Sequence, residues 1–151
     1  PVLSRGLGDV YKRQLYTDPH DAARTVLAEG LIRLGVISQS LDEALDLETG
    51  DLRKWYMHNT SHWIGLDVHD AGVYKPGGTP RVLEPGMCLT IEPGLYFGAW
   101  RPDVDCPERY ANIGIRIEDD VLITTDGPVV LTADCPKSID DIENIVGQDL
   151  A

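Results

Sequence analysis

The stretch NIGIRIEDDVLITTDGPVVLT, residues 112–132, decides the fold. Ile113, Ile115 and Ile117 alternate with Gly114, Arg116 and Glu118, the two-residue period of a strand that turns one face to a core. The alternation runs on through DDVLITT, Asp126-Gly127 is the chemistry of a tight hairpin turn, and VVLT returns as the partner strand. Upstream, MCLTIE (87–92) alternates as a half-buried strand should, entered by the turn at Pro85-Gly86 and stopped by Pro93-Gly94. YKPGGTPRVLEPG, just before it, is loop chemistry.

Helical signals lie on either side of this strand-rich part. Asp18 is placed to cap a helix with Pro19 at its first position, and Ala23, Val26, Leu27, Gly30, Leu31 and Leu34 recur at three-and-four spacing until Gly35 ends it. Ser40 followed by Glu43 is a capping-box pattern opening a shorter helix through SLDEALDLE. Ser138 caps a terminal helix, IDDIENIV. Helices first and an antiparallel sheet afterwards make an α+β domain. At 151 residues the chain is sized for one such domain. Residues 1–14, basic where the rest is acidic, read as a non-native or disordered appendage, leaving 15–151 as the domain.

Net charge is −12 with 42% hydrophobic residues. That balance repels phosphate backbones and anionic headgroups, so neither nucleic acid nor a membrane surface is an expected partner. No apolar run approaches the ~20 residues of a membrane span. Cys88, Cys106 and Cys135 lack the spacing of a disulfide framework or zinc knuckle and read as reduced, structural thiols; a cytoplasmic location follows as the default.

HNTSHWIGLDVHD (58–70) holds three of the four histidines. On a helix His58 and His62 would share a face about 6 Å apart, as in a zinc clamp. Thr60, Trp63, Ile64 and Val68 favour a strand instead, where the two imidazoles lie roughly 13 Å apart. One ion cannot take both. The spacing predicts one ligand and one histidine further along a cleft, with Trp63 packed in the core. His20, in the first turn of a surface helix, keeps a structural role. In the strands, Glu92 shares a face with Cys88 and Thr90, and Glu118 a face with Gly114 and Arg116. Two strand-end carboxylates near a histidine cluster invite a divalent cation, because unpaired buried charge costs several kcal/mol. Histidine plus carboxylates without thiolate suits manganese, zinc, iron or cobalt.

HNTSHWIGLDVHDAGVY, LEPGMCLTIEPGLYF, PERYANIGIRIEDDVLIT and LTADCPKSIDDIE together resemble, in order and spacing, the C-terminal part of the catalytic domain of Xaa-Pro aminopeptidases, which belong to the pita-bread metallopeptidases. The likeness runs from about Leu15 to Glu143. It implies part of a pita-bread fold, incomplete here, and hydrolysis of the N-terminal Xaa-Pro bond of peptides at a dinuclear site, usually with two manganese ions. By that resemblance His62, Glu92 and Glu118 are metal ligands, Glu118 bridging. His58, His69 and Glu92 are the catalytic groups, with His69 assigned to protonate the leaving proline nitrogen. Asp70 and Arg116 orient the ligands.

The family's two remaining aspartate ligands sit in a GD-x-T-R-T-like segment, and nothing in residues 1–57 matches it. The expectation is therefore a chain cut or mis-joined at its start and inactive alone. Prolidase, the family's dipeptidase, is the rival enzyme, although T-S-H-W around His62 looks more like the aminopeptidase. A non-catalytic pita-bread module binding peptide or protein, and a single structural metal, are the other readings. Self-association of copies stays open.

Overall fold

The computed structural model describes residues 14–102 and 104–147. The expectation of an appendage over 1–14 falls outside them except at Gln14, whose carbonyl accepts the Leu83 N–H at 2.8 Å.

Helix α1 spans Asp18–Arg33, with Thr17 rather than Asp18 at its N-cap. Asp18 instead turns its carboxylate back to accept the Leu15 N–H at 2.8 Å, while Asp18 and Asp21 complement the positive end of the helix dipole. The buried seam steps through Pro19, Ala23, Ala28 and Leu31. Val26 and Leu34, expected on that face, are exposed: Val26 lies at its margin, and Leu34 is the C-cap residue beyond the last turn. Gly35 closes the helix at φ +71°, a conformation that favours glycine.

Helix α2, Leu41–Ala44, has both halves of the Ser40–Glu43 capping box but only one turn. The Asp46 carboxylate accepts the N–H groups of Glu48 (2.9 Å) and Thr49 (2.7 Å), which stops the helix short of the length expected from its sequence. These helices and a 3-10 turn at Asp51–Lys54 enclose one core, in which Trp55 and Phe97 pack with ring centres 5.0 Å apart.

The second core lies on a sheet of order β1–β4–β5: β1 is Cys88–Ile91, β4 Asp119–Thr124 and β5 Gly127–Val130. Both pairings are antiparallel. On the other edge of β1 the segment 60–64 runs alongside it. Thr60 O accepts Glu92 N–H (2.7 Å), His62 O accepts Thr90 N–H (3.0 Å), and Ile64 N–H donates to Cys88 O (3.0 Å). β1 is therefore flanked on both sides and buried on both faces, Leu89 and Thr90 each at 1% exposure, not half-buried as its alternation suggests.

Residues 112–125 do not form one strand. β3, Gly114–Arg116, pairs with β2, Gly94–Tyr96, while β4 pairs with β1. Pro93 ends β1 because it has no N–H to give, yet the chain goes straight into β2. Both partners break at the same level. The register nevertheless continues across the break: Ile91 faces Asp119 and Gly94 faces Arg116, so Glu92 stands opposite Glu118.

In the β4–β5 hairpin Thr124 pairs with Gly127, so the turn is Thr125-Asp126, one residue earlier than expected. The Thr124 hydroxyl fixes it, donating to Gly127 O at 2.6 Å and accepting Asp126 N–H at 3.2 Å. Beyond β5, the Lys137 ammonium meets the Asp119 carboxylate at 3.0 Å and the carbonyls of Thr132 and Cys135 at 2.7 Å each, which ties the closing turn to the sheet. Helix α3, Ile139–Ile145, is capped by Ser138 as expected and has no buried residue.

Candidate metal centre

Each strand break carries one carboxylate, and the two face each other. Like charges directly opposite on neighbouring strands destabilise a sheet. His62 approaches from the third side, on the segment flanking β1. One donor atom each from His62, Glu92 and Glu118 lies within 4.8 Å of the others. These are the three residues for which the resemblance implies metal ligation.

Local hydrogen bonds aim the donors. His62 Nδ1 lies 3.1 Å from the carbonyl of Trp63, which can only accept, so the neutral ring carries its proton there and leaves Nε2 with a lone pair. That lone pair points at Glu92 Oε1, 3.2 Å away. Two acceptors face each other, an arrangement relieved by a cation between them or by a proton. Glu92 is 9% exposed. The Thr90 hydroxyl donates to Glu92 Oε1 at 2.9 Å and accepts the His62 N–H at 3.0 Å, so one buried side chain positions both donors. A hard divalent cation fits this set of one imidazole and two carboxylates.

Arg116 supplies the resident positive charge, its Nε 3.7 Å from Glu92 Oε2 and 3.9 Å from Glu118 Oε2. A hydrogen bond to Tyr96 pushes the Arg116 guanidinium further up, and Tyr96 in turn meets His58 Nε2 at 2.9 Å. His58 Nδ1 contacts the Asn59 carbonyl at 2.7 Å, so in the neutral ring Nε2 accepts from the Tyr96 hydroxyl. A relay thus runs from Arg116 through Tyr96 to His58, which is not one of the three clustered donors.

The His69 ring lies 4.3 Å from that of His62. Asp70 acts through its main chain: its N–H donates at 3.0 Å to the Trp63 carbonyl that also receives His62 Nδ1, while its carboxylate takes the Ala71 N–H at 2.9 Å. Trp63 is in the core, as expected. His20 is half-buried, not on an open surface, and its Nδ1 meets the Thr60 hydroxyl at 2.9 Å.

The chain matches metallopeptidase family M24 over residues 7–125. It belongs to that family. It is 43% identical to Xaa-Pro aminopeptidase 1 of Streptomyces coelicolor over 139 residues, 91% of this chain and 28% of that protein. With the Xaa-Pro aminopeptidase of Escherichia coli it shares 46% identity over 121 residues, 80% of this chain and 26% of that protein. The solved aminopeptidase PepP of Pseudomonas aeruginosa superposes with TM-score 0.82 and 39% identity, covering 94% of this chain and 30% of that one. Zinc-substituted aminopeptidase P of E. coli, in complex with product, superposes with TM-score 0.77 and 40% identity over 95% of this chain and 31% of that one. The M24 chain described here thus spans under a third of the length of these relatives, and its fold is a portion of their pita-bread fold.

Thr90 and Tyr96 had no assigned role in the sequence. Thr90 does share the alternation phase of Glu92, the one signal that could have found it. Replacing Thr90 by valine removes the donor to Glu92 and the acceptor for His62. Divalent-metal affinity, measured by competition with a chelator, should fall about tenfold, with Thr90→Ser retaining most of it.

Proposed function

We propose that this chain carries the His62–Glu92–Glu118 part of a dinuclear metal centre in an Xaa-Pro aminopeptidase, which removes the residue preceding a proline from the N-terminus of a peptide. The observation that carries this reading is the convergence of the three donors at the paired strand breaks, within 4.8 Å. Bound divalent cations, manganese by the family resemblance, would supply an activated water and polarise the scissile carbonyl.

The chain's own residues then bind, orient and move protons. Glu92, which the Thr90 hydroxyl holds in position through Oε1, is the group we assign to accept a proton from the attacking water. Proline's nitrogen has no proton of its own, so it must be protonated as it leaves. His69, with its ring against that of His62, is the group we assign to this step. His58, oriented by Tyr96, borders the bound peptide. Arg116 balances the two carboxylates.

Three donors complete the sphere of one ion at most, so a second ion requires carboxylates beyond the three donors clustered among the described residues. Cys88, Cys106 and Cys135 are free thiols, which suits the reducing cytoplasm. Cleavage of Ala-Pro-Ala by the manganese-loaded protein, abolished by chelation, tests the reading. Cleavage of Ala-Pro alone would make it a prolidase. Tight binding of one ion without cleavage of either peptide would reduce the centre to a structural site.

A further inference from the structure

A half-open pocket of about 280 Å³ is lined in part by His20, Arg24, Arg53, Tyr56 and His58, with Asp46 the one acid in its lining. It adjoins the metal centre through two walls. His58 is tied through Tyr96 to Arg116, whose guanidinium lies beside Glu92. On the other side the Tyr56 hydroxyl meets that of Thr60, whose carbonyl accepts the Glu92 N–H at 2.7 Å. Behind both, Tyr56 and His20 converge on the Thr60 hydroxyl.

The charge of this lining runs against that of the molecule. The chain carries a net −12 with its histidines neutral, yet the pocket sets two guanidiniums against one carboxylate. Asp46 is occupied within its own turn, where Oδ1 accepts from the N–H groups of Glu48 and Thr49 and from the Thr49 hydroxyl at 2.8 Å. Arg24 is also engaged: it donates to Leu45 O and approaches Asp21 at 3.9 Å. The Arg53 side chain makes no hydrogen bond or ion pair with the described residues.

We propose that this pocket receives a carboxylate of a bound peptide, with Arg53 as its ion-pairing partner. The proposal rests on the peptidase reading above, since a peptide at the metal centre reaches the pocket by passing His58. A guanidinium offers two parallel N–H donors that match a carboxylate, and the acidic remainder of the surface disfavours that anion elsewhere. At about 280 Å³ the volume lies just below the roughly 300–1,000 Å³ of small-ligand sites, room for one terminal residue or one acidic side chain.

The test titrates the metal-free protein, in which no cleavage competes, with Ala-Pro-Ala, its C-terminal amide, and Glu-Pro-Ala amide, reading heat of binding. Ala-Pro-Ala should bind about tenfold more tightly than its amide, Arg53→Gln should bring the two level, and Arg53→Lys should restore part of the difference. A gain with Glu-Pro-Ala amide instead assigns the carboxylate to the first residue's side chain and equally supports the pocket. Binding of all three within about twofold, a preference that survives Arg53→Gln, or no binding at all overturns it. The metal-loaded cleavage assay reads the other question separately. Cleavage without any carboxylate preference removes the pocket and spares the peptidase, and preference without cleavage does the reverse.

Discussion

Manganese affinity should fall at least ~100-fold when Glu92 is replaced by glutamine, since a direct donor matters no less than the outer partners whose loss typically costs 10–100-fold. Glutamine keeps the volume and one oxygen, so the Thr90 hydroxyl retains its acceptor while the negative charge disappears. Metal-free stability should move the other way. Glu92 stands opposite Glu118, and removing one of two facing like charges should stabilise the metal-free sheet by roughly 0.2–1 kcal/mol. Metal should stabilise the wild-type protein by linkage, about 2.7 kcal/mol at a hundredfold excess over its dissociation constant, and that gain should shrink to about 0.4 kcal/mol or less in the variant. Thermal melts with and without manganese check both signs. An unchanged metal-induced rise would exclude Glu92 as a ligand.

Trp63→Ala should have the largest effect on stability, a loss of about 3–5 kcal/mol in chemical denaturation. The indole is 8% exposed and stacks on Tyr74, with ring centres 5.5 Å apart and planes 7° from parallel; Tyr16 packs on it at 4.8 Å. A Cβ on Gly72 would run into the indole ring, so that loop is shaped around it as well. Trp63 also pairs with Leu89 across the edge of β1, next to His62. Its truncation should therefore weaken metal binding without removing a ligand, whereas Trp63→Phe should restore most of the stability.

The clustered donors were legible only in part. Alternation puts Glu92 and Glu118 on the polar phase of their strands and strand spacing lets one of His58 and His62, not both, meet an ion, while the choice of His62 comes from the family resemblance. The place where a strand changes partner could not be read. Asp119, the one polar residue in the apolar phase from Ile113 to Ile123, does mark where β4 begins, but the change of partner between β3 and β4 depends on Pro93 in the opposite strand. Double-sided burial of β1 was hidden for the same reason, because Thr90 looks like a solvent-facing residue until its neighbours on both sides are known. Tyr96 gains its part from standing across from Gly114, a pairing that no local pattern encodes. His20 was misplaced because amphipathic period describes one helix, not what lies against its first turn.

The ladder that spans the two breaks makes the acids a single inherited unit. An insertion or deletion of one residue between Ile91 and Gly94, or between Arg116 and Asp119, would turn one carboxylate to the reverse of the sheet and dissolve the pair. The connection beyond the Phe97–Asn112 rung carries no such restriction, because alignment is set by the rungs on either side of it. Natural variation in length, and any grafted sequence, should be tolerated there and refused at the kink.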